Sequence, residues 1–305
     1  MDELEQAPSG PKTTVLIVSH NAVAALRRCL ASLMETTDRS AVEILVVDKC
    51  SRDGSGQLDA EFPDAKFLRL EKNFGFTRAA NIGVRTALGD YIFFLDPHVE
   101  MAPKVVDALA KVLDEEEDVV AVCPLLVGED GAPLSRFRRV PSGADWVRAW
   151  KTGDAGASLP PDLDRERIPV EWPPREAVMV RKQFIRGMNY FDQRFGEFGA
   201  DTELFFQIRN AGKKTYLLPR FRLTYRPETV ALPVDAAAQL SADEGLAAAV
   251  YGAKRGGFLE GLGIRFALIG HVLGKLLTFQ EPGYQFSRLS ALVAGQKIDG
   301  TQSAI

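Results

Sequence analysis

Cysteine is scarce in this chain. The three that occur, Cys29, Cys50 and Cys123, lie far apart and form no CxxC pair. That excludes a disulfide framework and a thiolate zinc site as organising devices, and it fits a reducing compartment. Long apolar runs are missing too. No stretch approaches the roughly 20 apolar residues of a membrane-spanning helix, and residues 1–12 are polar and acidic, without the apolar run of a signal peptide. Charge of one sign is also lacking. With 37 basic and 41 acidic residues and a net charge of −4, the composition excludes a nucleic-acid binder on charge alone. No internal repeat of solenoid period is present. What remains is an ordinary globular balance, 46% hydrophobic over 305 residues, enough to bury one large core or a core with an appendage.

The most informative stretch is 73–100, NFGFTRAANIGVRTALGDYIFFLDPHVE. It reads as a Gly- and Asn-punctuated loop, a helix over 77–87, a turn at Gly89-Asp90 and a buried strand over 91–95. Asp96-Pro97-His98 follows at once. An apolar strand ending abruptly in polar groups is where open α/β sheets place ligands, outside the carboxyl ends of their strands. Upstream, TVLIV at 14–18 is a buried strand that ends in Ser19-His20-Asn21. Leu26, Leu30 and Leu33 follow at helical spacing, with Asn21 placed to cap that helix. EILVV at 43–47 is a second strand, ending at Asp48 and the turn-forming 49–55; residues 66–70 form a third. Alternating strands and helices imply a parallel sheet covered on both faces.

Downstream, 103–116 reads as a helix with Pro at its start, and 119–122 as a strand. From 128 to 174 the pattern dissolves into Gly, Pro and charge, a length typical of a functional lid or an insert. Trp146, Trp150 and Trp172 argue that part of this segment is ordered. A strand at 177–180 precedes FGEFGADTEL at 195–204, where Asp201 occupies a helix N-cap position or a catalytic one. Gly212 ends that helix, and a strand over 215–218 closes at Pro219. From about 242 the chain is helical. Phe258, Leu262, Phe266, Ile269, Val272, Leu273 and Leu276 repeat at helical spacing among Lys254, Arg255, Arg265 and Lys275. This pattern fits a helical hairpin packed on the main domain, and also a basic amphipathic segment over 254–279 lying on an anionic membrane.

With these elements in place, the chain resembles the family 2 glycosyltransferases of GT-A fold, in particular rhamnosyltransferase-like members that extend polyprenyl-linked glycans in bacteria. The resemblance rests on VLIVSHN at 15–21, ILVVDKCSRDGS at 44–55, NFGFTRAANIG at 73–83 leading to FFLDPHVE, and FDQRFGEFGADTELFFQIRNAGKKTYLLP at 191–219. EDGAPLSRFRRVPS at 129–142 and YGAKRGGF at 251–258 extend it. It implies a Rossmann-like, mostly parallel α/β sheet with helices on both faces over 1–233, interrupted by a Pro/Gly-rich loop at about 142–174. A helical C-terminal appendage, membrane-associating in the sharper reading, occupies 234–305. It further implies a UDP- or dTDP-sugar donor, a glycan or polyprenyl-linked acceptor, no nucleic acid, and a cytoplasmic location, peripheral at the inner face of the cell membrane. By the same resemblance Asp48 contacts the base or ribose, and Ser19, Asn21, Asn73, Gly75, Arg78 and Asp96 complete the nucleotide site. Asp96 and His98 take the place of the metal motif for Mn²⁺ or Mg²⁺, and Asp201 is the general base of an inverting displacement.

The chain also departs from the family pattern. His98 stands where an Asp is usual, and imidazole is a poor ligand for Mg²⁺ though an adequate one for Mn²⁺. Ala200 replaces a Glu before the catalytic Asp, Tyr225 a His, Arg175 a Gly and Lys49 an Asn. Two of these changes remove metal ligands and two add positive charge, so Arg175, Lys49 or Arg78 becomes a candidate for neutralising a diphosphate. Two classes stay open at this level: an active glycosyltransferase, or a catalytically silent relative that binds nucleotide, lipid or a protein partner.

Overall fold

In the computed structural model, which describes residues 10–228 and 231–300, the first ninety residues follow the expected rhythm. Strand β1 (Thr13–Ser19) leads to helix α1 (Val23–Thr36), then come β2 (Val42–Asp48), a short 3-10 turn (Ser55–Ala60), β3 (Ala65–Arg69), α2 (Gly75–Thr86) and β4 (Tyr91–Leu95). β1 pairs parallel with both β2 and β4, and β2 with β3. The β2 and β4 side chains are all buried, as expected for parallel strands covered on both faces.

The second half of the sheet is mixed rather than parallel. After β5 (Val99–Glu100), α3 (Val105–Glu115) and β6 (Val119–Val127), the chain passes through α4 (Gly143–Thr152) and β7 (Ile168–Pro169). It then forms β8 (Ala177–Arg181), α5 (Lys182–Gly187), α6 (Ala200–Asn210) and β9 (Lys214–Tyr225). β8 inserts antiparallel between β4 and β6, while β9 runs parallel to β6, giving the order β3-β2-β1-β4-β8-β6-β9-β5 with β7 on β9. The long insert before β8 reverses its direction, which period-two patterning cannot reveal. Helices cover both faces. α1 and α3 pack on one through Leu26, Leu30, Leu33, Leu109 and Leu113; α2, α5 and α6 pack on the other through Ala80, Val84, Ile185 and Leu204.

Several expected boundaries shift for identifiable reasons. β9 does not stop at Pro219 but continues to Tyr225. The register jumps there from Leu218 opposite Pro124 to Arg222 opposite Leu125, so Pro219 falls in an irregularity where no ladder donor is required. The 128–174 segment contains α4, which carries a complete capping box. Ser142 Oγ accepts from Asp145 N, and the Asp145 carboxylate accepts from Ser142 N. Trp146 and Trp150 of α4 are buried against α7 (Val234–Gly256), α8 (Phe258–Leu277) and α9 (Pro282–Ala294), together with Phe195 and Tyr251. The C-terminal helices begin at Val234, earlier than the apolar spacing suggests, because α7 turns mainly alanines inward. They share one core with α4 and the loop before α6.

Candidate active site

Ser19 and Asp48 end β1 and β2 directly opposite each other in register, and Asp96 follows β4 at the same end of the sheet. Three fully packed strands therefore hold three polar side chains on one rim, the position where α/β sheets bind ligands. Asp48 Oδ2 accepts from Ser51 N at 3.0 Å, while Asp48 Oδ1 and Ser19 Oγ are buried without a partner. Buried polar atoms are normally paired, and these two lack that pairing.

Asn21 has a different job from helix capping. Its φ is +48°, its Oδ1 accepts from Arg52 N, and its own N–H donates to Ser51 Oγ. The α1 end is capped instead from the neighbouring loop, by Asp53 Oδ2 accepting from Val23 N at 2.8 Å. Asn21 is exposed and latches the loops that follow β1 and β2. Asn73 is buried and accepts from Gly75 N at 3.0 Å, shaping the entry to α2. Gly75 sits at φ +76°, where a Cβ would meet Gly196 and Ile298 backbone atoms within 3 Å. Arg78 is exposed, with its guanidinium 4.0 Å from the Phe74 ring centroid, and is not among the residues lining the cleft.

Behind the rim lies a cleft of about 60 Å³, lined among others by Leu16, Lys49, Phe76, Asp96, Arg175 and Glu197. Its charges form a network. Lys49 Nζ lies 2.7 Å from Glu197 Oε2, and both side chains are nearly buried, at 7% and 13% exposed. Glu197 Oε2 also accepts from Phe76 N at 2.9 Å, in the first turn of α2. Arg175 Nη1 donates to the Glu197 carbonyl at 3.1 Å, and Arg175 Nη2 stands 4.0 Å from Glu197 Oε1. Burial works against the Arg175 charge. The carboxylates of Asp201, Glu197, Glu176 and Asp96 outweigh it and hold the group above the ordinary arginine value. Burial likewise favours the neutral form of Glu197, but Lys49, Arg175 and the Phe76 N–H hold that carboxyl below its usual range.

The motif after β4 is turned on itself. Asp96 Oδ1 accepts from both His98 N at 2.9 Å and His98 Nδ1 at 2.8 Å. That bond is the main reason the His98 imidazolium is favoured above its ordinary value. Tyr225 packs edge-on to His98 with ring centroids 6.5 Å apart, and burial pushes its phenol up to about 12. Among the described residues no three His, Cys, Asp or Glu side chains converge as metal ligands would. One carboxylate engaged with its own neighbour, one imidazole and a guanidinium facing them do not make the oxygen-rich shell of a hard dication. Asp96 and His98 are thus adjacent as expected, but they do not fit the family's divalent cation.

Asp201 lies in the first turn of α6, and the N-cap is Gly199 at φ +101°, with no side-chain cap. Its Oδ2 accepts from Trp172 Nε1 at 3.1 Å. Among the carboxylates acting on Arg175, Asp201 acts most strongly. The capping reading therefore falls away, and the carboxylate is oriented by an indole.

Of the sequence-predicted residues, Ser19, Asp48, Asn73, Gly75, Asp96 and His98 gather at one end of the sheet, and Asp201 lies in the first turn of α6, bonded to Trp172. Asn21 and Arg78 serve the surrounding loops. Glu197 was missed, although a lone carboxylate between Phe195 and Phe198 is a signal for a buried charge needing a partner. Asp243 of α7 was missed too. Its carboxylate accepts from Glu197 N, Phe198 N and Ile298 N, and burial raises it to about 6. The family model Glycosyl transferase family 2 matches residues 14–163. An N-acetylglucosaminyl-diphospho-decaprenol L-rhamnosyltransferase of Mycobacterium tuberculosis is 26% identical over 67% of this chain and 73% of its own. Among solved structures, GalNAc-T7 with UDP, GalNAc and Mn²⁺ superposes at TM-score 0.57 and 20% identity, over 72% of this chain and 44% of that one. The mannosyltransferase PcManGT of Pyrobaculum calidifontis, with GDP-Man and Mn²⁺, superposes at 0.56 and 15% identity, over 95% and 89%. The family model and the fold agree: the chain belongs to glycosyltransferase family 2.

Proposed function

We propose that the protein transfers a sugar, with inversion, from a UDP- or dTDP-sugar to a hydroxyl of a glycan or polyprenyl-linked acceptor. The observation that carries this is the rim itself. Unpartnered Ser19 Oγ and Asp48 Oδ1 offer hydrogen bonds for a base or ribose, and the Asp201 carboxylate, held by Trp172, is the one that acts most strongly on Arg175. In this reading Asn73 and Gly75 shape the nucleotide pocket and Asp201 takes the acceptor proton. Asp201→Asn is the test. Its amide can still accept from Trp172 but cannot take a proton, so transfer falls by roughly 10²–10⁴ while the melting temperature barely moves. A folded variant with unchanged transfer removes Asp201 as the base.

The Lys49–Glu197–Arg175 network and the small cleft favour a second reading, a silent relative that binds nucleotide without turnover. A hydrolysis screen over UDP-, dTDP- and GDP-sugars separates the two, since a silent relative is stabilised by nucleotide yet releases none. The unit boundary near 233, the cytoplasmic location and peripheral membrane attachment belong to the same proposal. Among the described residues no helix is long and apolar enough to cross a membrane. α8 and its surroundings expose Phe258, Leu259, Phe266, Leu277, Phe279 and Phe286. Three of the four basic residues behave otherwise than the pattern suggests, Lys275 alone bonding only an exposed neighbour, Gln280. Lys254 pairs with Asp192 and Glu203, Arg255 donates to the Pro141 carbonyl, and Arg265 caps the Leu292 and Val293 carbonyls. Attachment would therefore be apolar, and Phe266→Ser with Phe286→Ser should release the protein from vesicles, neutral as well as anionic.

A further inference from the structure

We infer that Arg175 and Lys49 neutralise the donor diphosphate without a divalent cation, and that the Glu197 carboxylate holds their place until the donor arrives. The inference rests on the donor-binding reading above and goes beyond it by naming the groups that carry the leaving-group charge. Three observations support it. The donor set at Asp96 and His98 does not fit a hard dication, because Asp96 Oδ1 is engaged twice by His98. Two cations converge instead within a cleft that Asp96 lines, and a guanidinium and an ammonium are the side chains that grip phosphate oxygens. The carboxylate between them is itself seated as an anionic ligand would be, on Lys49 Nζ at 2.7 Å and on the Phe76 N–H of α2 at 2.9 Å.

Glu197 can leave without unfolding its loop. Its backbone N–H and that of Phe198 are anchored on Asp243 Oδ2, and Gly196 and Gly199 flank the segment. Only the side chain must swing for a diphosphate oxygen to replace it on Lys49 and Phe76 N. In the transfer step the acceptor oxygen bonds to the anomeric carbon as the bond from that carbon to the β-phosphate oxygen breaks. The electron pair stays on that oxygen, and the acceptor proton goes to the Asp201 carboxylate. The diphosphate gains one negative charge, and a fixed guanidinium beside it stabilises that charge most when it is fully developed.

The test is calorimetric binding of UDP, dTDP and GDP to the full chain in EDTA and again with Mn²⁺, with uridine as a probe lacking phosphate. At least one diphosphate should bind in EDTA, and Mn²⁺ should change its affinity little. Arg175→Gln, at a position one-third exposed, should weaken that diphosphate about tenfold or more and leave uridine unaffected. Glu197→Gln, which keeps an acceptor for Lys49 but removes the competing charge, should tighten it. Diphosphate binding that requires Mn²⁺ and is unchanged in folded Arg175→Gln overturns the inference and leaves the donor reading intact. Unchanged affinity in Glu197→Gln overturns the placeholder role. No diphosphate binding in either medium overturns the donor reading and this inference with it.

Discussion

Lys49→Met tests the charge network at its most buried point. The ammonium lies 2.7 Å from Glu197 Oε2 with side-chain exposures of 7% and 13%, so its loss leaves a carboxylate facing an apolar substitute. Removing one partner of a buried pair costs about 3–5 kcal/mol. Here Glu197 keeps the Phe76 N–H and the Arg175 guanidinium 4.0 Å away, which puts the loss near the lower end, at about 3 kcal/mol. At 2–4 °C per kcal/mol for a large domain, the melting temperature should fall by about 6–12 °C. Lys49→Met combined with Glu197→Met removes the stranded charge and should recover most of that loss. Urea denaturation of the parent, both single variants and the double closes the cycle. A loss below about 1 kcal/mol, as for an exposed ion pair, would refute the claim that this pair is desolvated.

Two further outcomes follow from the geometry. Asp192 is pulled below the ordinary carboxyl range because its bonds to Arg194 and Lys254 outweigh burial. A depressed folded pKa adds stability above about pH 4 that disappears as pH falls, so Asp192→Asn should flatten the acid limb of the stability–pH curve and leave the alkaline limb alone. Gly75→Ala places a Cβ 2.8 Å from the Gly196 carbonyl carbon and 2.9 Å from Ile298 O at a φ of +76°. It should destabilise by about 1–3 kcal/mol and weaken nucleotide binding, read by calorimetry with UDP, because the segment carrying Glu197 must move.

Local pattern alone determined a good deal. Buried strands at 14–18, 43–47 and 91–95, each ending in a polar residue, are legible because fully covered parallel strands are continuous apolar runs. Those ends put Ser19, Asp48 and Asp96 on one rim whatever follows in the chain. The antiparallel insertion of β8, the passage of β9 through Pro219 and the helix within 128–174 depended on long-range pairing, and short apolar runs do not encode their partner or direction. Roles were hidden for the same reason. Asn21 looked like a cap until Asp53, thirty residues after Val23 in sequence, supplied one across two loops. Asp201 read as a cap or a catalytic group until Gly199 took the cap position at positive φ. Arg175 and Lys49 read as added positive charge without a partner in the protein, and Glu197 did not register at all. A buried ion pair separated by 148 residues exists only once the sheet and α6 bring its members within 2.7 Å. The sequence by itself therefore determined which strand ends share a rim; the tertiary structure decided which charges meet beside it, because Coulomb energy depends on distance and burial and neither is a property of a sequence neighbour.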